Sequence, residues 1–155
     1  MKQRNNRGFT LVEVIVVVAI VGILAGIVSL SVNHVFANRA RKFVSACDAM
    51  LTRCRVATLS GAGADTFVEL RTDGHQYTAS FYRNGVAEDE SSLKCAGTAC
   101  GYTLRGTVHS LTAGAPLRLY FDRTTGALSQ PCTNISVGSF SITLTPATGY
   151  HRTGG

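Results

Sequence analysis

From Phe9 to Val32 the chain runs 24 residues with a single charge, Glu13. A continuous apolar run of that length reads as a helix that spans a membrane. At 1.5 Å per residue it is ~36 Å long, against a hydrocarbon core of ~30 Å. Beyond it the pattern changes. Phe36, Ala40, Phe43, Cys47, Met50, Leu51, Cys54 and Ala57 recur at helical spacing, while Arg39, Lys42, Arg53 and Arg55 lie mostly off that stripe. The helix therefore continues to about Ser60 as an amphipathic element whose apolar stripe packs on a sheet. Gly61 and Gly63 end it.

After the helix the period falls to two. Thr66 to Arg71 and His75 to Arg83 alternate, with Asp73-Gly74 between them and an Asn84-Gly85 turn after the second. Residues Val86 to Gly101 are polar, carry the acids Glu88, Asp89 and Glu90, and read as a loop. Alternation returns over Tyr102 to Ser110 and Leu117 to Asp122. A turn at Thr125-Gly126 and the stretch Ile135 to Thr145 follow. One long helix followed by about six strands predicts an α+β fold, the helix packed against an antiparallel sheet.

Fifteen basic and nine acidic residues leave a net charge of +6. Lys2, Arg4 and Arg7 precede the apolar run, so removal of the first eight residues lowers the charge to +3. A mildly basic domain is the reading, not a polycation built for nucleic acid. Basic residues flank both ends of the run, so the positive-inside rule does not orient it. The run is also longer than the roughly 7–15 apolar residues of a cleaved secretory signal. Glu13 is the anomaly, because a carboxylate inside a membrane is costly unless it reaches the headgroups or a cation. Gly22 and Gly26 have the spacing that lets helices approach closely.

Gly8-Phe9-Thr10-Leu11-Val12-Glu13, with Gly22-Ile23-Leu24-Ala25-Gly26-Ile27 behind it, resembles the processing site and helix core of type IV prepilins and type II secretion pseudopilins. The resemblance implies cleavage after Gly8 by a prepilin peptidase and N-methylation of Phe9. It also implies pairing of Glu13 with the N-terminal amine of a neighbouring subunit. Segments then follow: a leader at 1–8, a transmembrane and filament-core helix at 9–36, and a globular α+β domain at 37–155. The implied setting is the inner membrane, crossed once, with the C-terminal domain outside the cytoplasm and later in a filament. The implied partners are other pilin or pseudopilin subunits, the peptidase and methyltransferase, and an inner-membrane assembly platform. Physical chemistry agrees at two points. A glycine lets an extended backbone enter a protease site without a side-chain clash. A carboxylate in a low-dielectric setting gains most from a cation held close.

A looser resemblance lies toward the C-terminus. Leu119-Tyr120-Phe121-Asp122, Gly126, Phe140-Ser141-Ile142-Thr143-Leu144 and Gly149-Tyr150-His151-Arg152 follow an order similar to that of H-type pseudopilins and T-type minor pilins, the GspH/FimT family. Some T-type members take up DNA through a Gly-Arg-x-Arg element. Here Tyr150 replaces the first arginine and only Arg152 is left. Tyr150 and His151 offer rings that could stack on bases. A last strand with a frayed tail is the favoured reading of the same residues.

Five cysteines stand at 47, 54, 95, 100 and 132. An exported domain favours disulfides, and the odd count leaves one thiol over. Cys47 and Cys54 are ~10 Å apart on a helix, too far to bond. A bridge between Cys95 and Cys100 across Gly97 is expected. No cysteine spacing suggests zinc. His34, His75, His109 and His151 stand apart, and no hydrolase elbow or phosphate loop is present. Neither catalysis nor a metal or other cofactor is expected. The function predicted is structural, a minor pilin or pseudopilin of a type IV pilus-like or type II secretion filament, with DNA uptake in competence as the alternative.

Overall fold

The structure is a computed structural model. It describes residues 10–61 and 65–154, and for 27–34 the backbone alone. Helix α1 spans Leu11–Leu59. Thr10 caps its start, its Oγ1 accepting the Glu13 N–H at 3.3 Å. Gly61, at φ 67°, turns the chain out of the helix, and its N–H reaches the Thr58 carbonyl. Gly63 lies outside the described residues. The chain divides into two compact units at Val35/Phe36.

The first unit holds the apolar part of α1. Its large aliphatic side chains from Leu11 to Leu24 are each at least 50% exposed. Among the described residues no helix is long and apolar enough to cross a membrane. Described side chains of the apolar run end at Gly26.

The second unit is built on the rest of α1. Ala40, Phe43, Val44, Cys47, Met50, Leu51, Cys54 and Ala57 are buried along one stripe, in steps of three and four. Phe36, expected on that stripe, is half-buried. Among the described residues nine strands follow, all in antiparallel pairs. The first sheet contains β1 (Thr66–Thr72), β2 (Gln76–Arg83), β3 (Val86–Lys94) and β6 (Leu117–Tyr120), in the order β3-β2-β1-β6. The second contains β4 (Cys100–Leu104), β5 (Thr107–Ser110), β7 (Cys132–Val137), β8 (Phe140–Thr145) and β9 (Tyr150–Gly154), in the order β5-β4-β7-β8-β9. Val68, Leu70, Phe81 and Leu119 from the first sheet and Ile135, Val137, Ile142 and Leu144 from the second join the helix stripe in one core. Each such side chain taken fully from water contributes roughly 1.5–3 kcal/mol before entropy is counted.

The segment expected as a loop from Val86 to Gly101 is mostly strand. Val86–Lys94 is the edge of the first sheet, and Cys100 already begins β4. Among the described residues the outer edge of β3 has no strand neighbour, so alternation is absent and only Leu93 is buried. Ion pairs anchor it instead. Arg53 meets Glu88 at 3.2 Å and Asp89 at 3.8 Å, Arg83 meets Glu88 at 3.2 Å, and Arg71 meets Glu90 at 3.7 Å. Charges on an edge strand also discourage pairing with other chains. Two further turns cut what read as single strands. Arg105-Gly106, both at positive φ, separates β4 from β5, and Gly138 separates β7 from β8.

β1 is buried on both faces from Thr66 to Leu70. On the side away from the shared core, Phe67 stacks on Tyr82 at 4.8 Å and lies 5.2 Å from Tyr120. Beside them the Arg118 Nε donates to Glu69 across the β1–β6 pair at 2.7 Å. The arginine also lies over the Phe67 ring. Glu69 is thus covered and paired rather than solvated.

Candidate functional site

Gly8 and Phe9, the expected cleavage and methylation residues, lie outside the described residues. Glu13 sits in the first turn of α1, where an acid is favoured by the helix dipole. With Thr10 it spells Thr-x-x-Glu, the spacing of a capping box, a signal the sequence carried. The aliphatic side chains around the helix have no polar face among them and no cover within the unit. A helix apolar on every side is stable only where lipid or other helices surround it. This is the chemistry the first unit offers: a sticky rod with one carboxylate near its start.

Of the C-terminal resemblance residues, Phe121, Asp122, Gly126 and Gly149 meet at one corner of the second unit. The Asp122 carboxylate accepts the N–H groups of Thr124 and Thr125 and the Thr125 hydroxyl, at 3.0, 2.8 and 2.8 Å. These bonds, the Thr125 amide first, hold its pKa below the usual 3.8. The Gly126 N–H closes the turn on the Asp122 carbonyl. Gly126 and Gly149 both have positive φ, and a Cβ on Gly149 would overlap the Gly126 carbonyl oxygen. Arg55, from the last turns of α1, ties the two loops, its Nε donating to the Gly126 carbonyl and its guanidinium to the Thr148 carbonyl at 2.9 Å. In the sequence Arg55 lies off the apolar stripe. Its place near the helix end was the only hint that it reaches loop carbonyls.

A carboxyl with a depressed pKa contributes stability above its unfolded value and loses that contribution as pH falls through the folded one. Acidification below about pH 3.8 is therefore expected to loosen the 122–126 turn. Amide exchange at Thr124 and Thr125 should accelerate there in the parent chain. Asp122→Asn should show fast exchange at neutral pH and no such transition.

His151 does not stand ready to stack on bases. Alternation in β9 turns it inward against α1, with its side chain 7% exposed. Its Nε2 lies 2.9 Å from Thr52 Oγ1 and 3.7 Å from Asp48, and its Nδ1 lies 3.2 Å from the Gly149 carbonyl. Tyr150 and Arg152, its neighbours, point outward and are exposed. The ring pair of the DNA alternative is thus split between two faces.

All five cysteines are free thiols in the structure. The expected Cys95–Cys100 bridge is not formed. Cys100 is buried at the start of β4, and burial, with the nearby Cys95, pushes its thiol up to about 12. Cys95 is half-buried, 3.8 Å from the Thr72 hydroxyl. Burial likewise raises Cys47, and it pushes Cys54 and Cys132 each up to about 11. Thiols held protonated in this way are poor nucleophiles and poor metal ligands. Among the described residues no group of three His, Cys, Asp or Glu side chains is placed to hold a metal ion.

The family model described as the prokaryotic N-terminal methylation motif matches residues 3–29. No curated protein and no solved structure matches the chain. The motif marks the chain as carrying the signal of a type IV pilin-like or pseudopilin precursor. It implies processing by a prepilin peptidase and assembly with other pilins, and it suggests that the N-terminus is anchored in a membrane.

Proposed function

We propose that this chain is a minor pilin or pseudopilin, a structural subunit whose role is assembly rather than turnover. Its precursor is cut after Gly8 and methylated on Phe9. The apolar part of α1 then serves first as a membrane anchor and afterwards as filament core, with Glu13 paired to the Phe9 amine of a neighbour. The observation that carries this is the coincidence of the methylation motif with a helix whose aliphatic side chains are exposed on all sides. Such a helix needs a non-aqueous surrounding, and membrane and filament each supply one. The GspH/FimT kind is the reading we adopt, supported by the meeting of Asp122, Gly126 and Gly149 from separate resemblance stretches.

Gly8→Ala tests the processing step. Expressed with a prepilin peptidase, the parent chain should lose its first eight residues and gain one methyl group by intact mass. The variant should accumulate at precursor mass. Cleavage at another bond, or equal processing of both, would reject the assignment.

A further inference from the structure

A groove of about 380 Å³ opens in the second unit between α1 and the edge strand β3. Arg39, Lys42 and Lys94 line it together with Ser91 and Ser92, and no acidic side chain does. Phe43 and Leu93, both buried, give it an apolar floor. Elsewhere along β3 the acids at 88, 89 and 90 are taken by Arg53, Arg83 and Arg71. Among the described residues the three groove cations have no ion-pair partner. Lys42 and Lys94 are moreover the only lysines after Lys2. The chain thus places both lysines of this unit, unpaired, at one groove.

Three converging cations with two hydroxyls suit a phosphate, since ammonium groups bind it as point charges and hydroxyls donate to its oxygens. The apolar floor suits a phosphate that carries a hydrocarbon rather than a free ion. Arg39 and Lys42 are also among the first charges after the apolar run. Arg39 follows Val32 by only seven residues, and cations within a Debye length of about 10 Å still feel an anionic surface.

We propose that this groove holds the phosphate of an anionic phospholipid headgroup, resting the second unit on the membrane before assembly. The inference rests on the anchored reading given above. Each cation near an anionic surface adds roughly fivefold to the preference for it.

The test uses the full chain in bilayer nanodiscs, of phosphatidylcholine alone or with three parts in ten of phosphatidylglycerol. Amine acetylation is timed at Lys42 and Lys94 by peptide mass. Both lysines should react at least about fivefold more slowly in the anionic discs. High salt should restore the rate, and Arg39→Ser, which removes an exposed unpaired cation, should weaken the protection. Equal rates in the two discs would overturn the proposal. So would equal protection by inorganic phosphate in phosphatidylcholine discs, which would assign the groove to a soluble anion. A chain that fails to enter either disc overturns the anchored reading, and this inference with it.

Discussion

Gly149→Ala is expected to destabilise the second unit by about 2–5 kcal/mol, the sum of two independent costs. One is conformational: Gly149 has φ 65°, where a Cβ meets the chain's own carbonyl. The other is steric, because that Cβ would overlap the Gly126 carbonyl oxygen and crowd the Phe121 ring. Neither neighbour can yield cheaply. The Gly126 carbonyl accepts from Arg55, and the Gly126 N–H is bonded to Asp122. Pushing Gly149 away would also pull Thr148 from Arg55 and shift the start of β9, where His151 meets Thr52. Gly114→Ala is the control. It shares a positive φ, but nothing lies within 4 Å of its Cβ position, so only the conformational cost applies. Denaturation midpoints of the full chain in detergent, compared for the two variants, separate the costs. Equal losses would show that the approach of Gly149 to Gly126 is not tight in solution.

Glu13→Val is expected to preserve membrane insertion and cleavage after Gly8 while abolishing incorporation into filaments. A carboxylate among aliphatic side chains costs about 2.5–3.5 kcal/mol near a bilayer centre and less near its surface. Valine removes that cost, so insertion is not impaired. It also removes the one charge by which an otherwise uniform apolar rod can find its register against a neighbour. Cell fractionation and the content of sheared filaments measure the two steps separately. Filaments containing normal amounts of the variant would reduce Glu13 to a helix-capping acid, favourable in the first turn and nothing more.

Much of the architecture was legible in the residues. The change from an unbroken apolar run to a stripe at three and four marked the two parts of α1, and Gly61 marked its end. Asn84-Gly85 announced a turn because few other pairs accept two positive φ angles. β3 was hidden because its edge position leaves its charged side chains in water or in ion pairs, so period two never appears. The β4–β5 turn was hidden because an arginine, Arg105, occupies a positive-φ position that usually signals itself with glycine or asparagine.

The candidate sites divide in the same way. A methylation signal is linear chemistry, read by an enzyme from consecutive residues, so Gly8 to Glu13 announce it without any fold. The inward turn of His151 depends on β9 pairing with β8 so that His151 falls opposite Leu144. Moving that register by one residue would put Tyr150 against the helix instead. Arg55 on the Gly126 and Thr148 carbonyls, Gly149 against Gly126, and Lys94 beside Lys42 each join residues more than 20 positions apart. Local composition constrains what one segment can become. Which distant segments meet is decided only when both sheets close on the helix stripe and bury a common core.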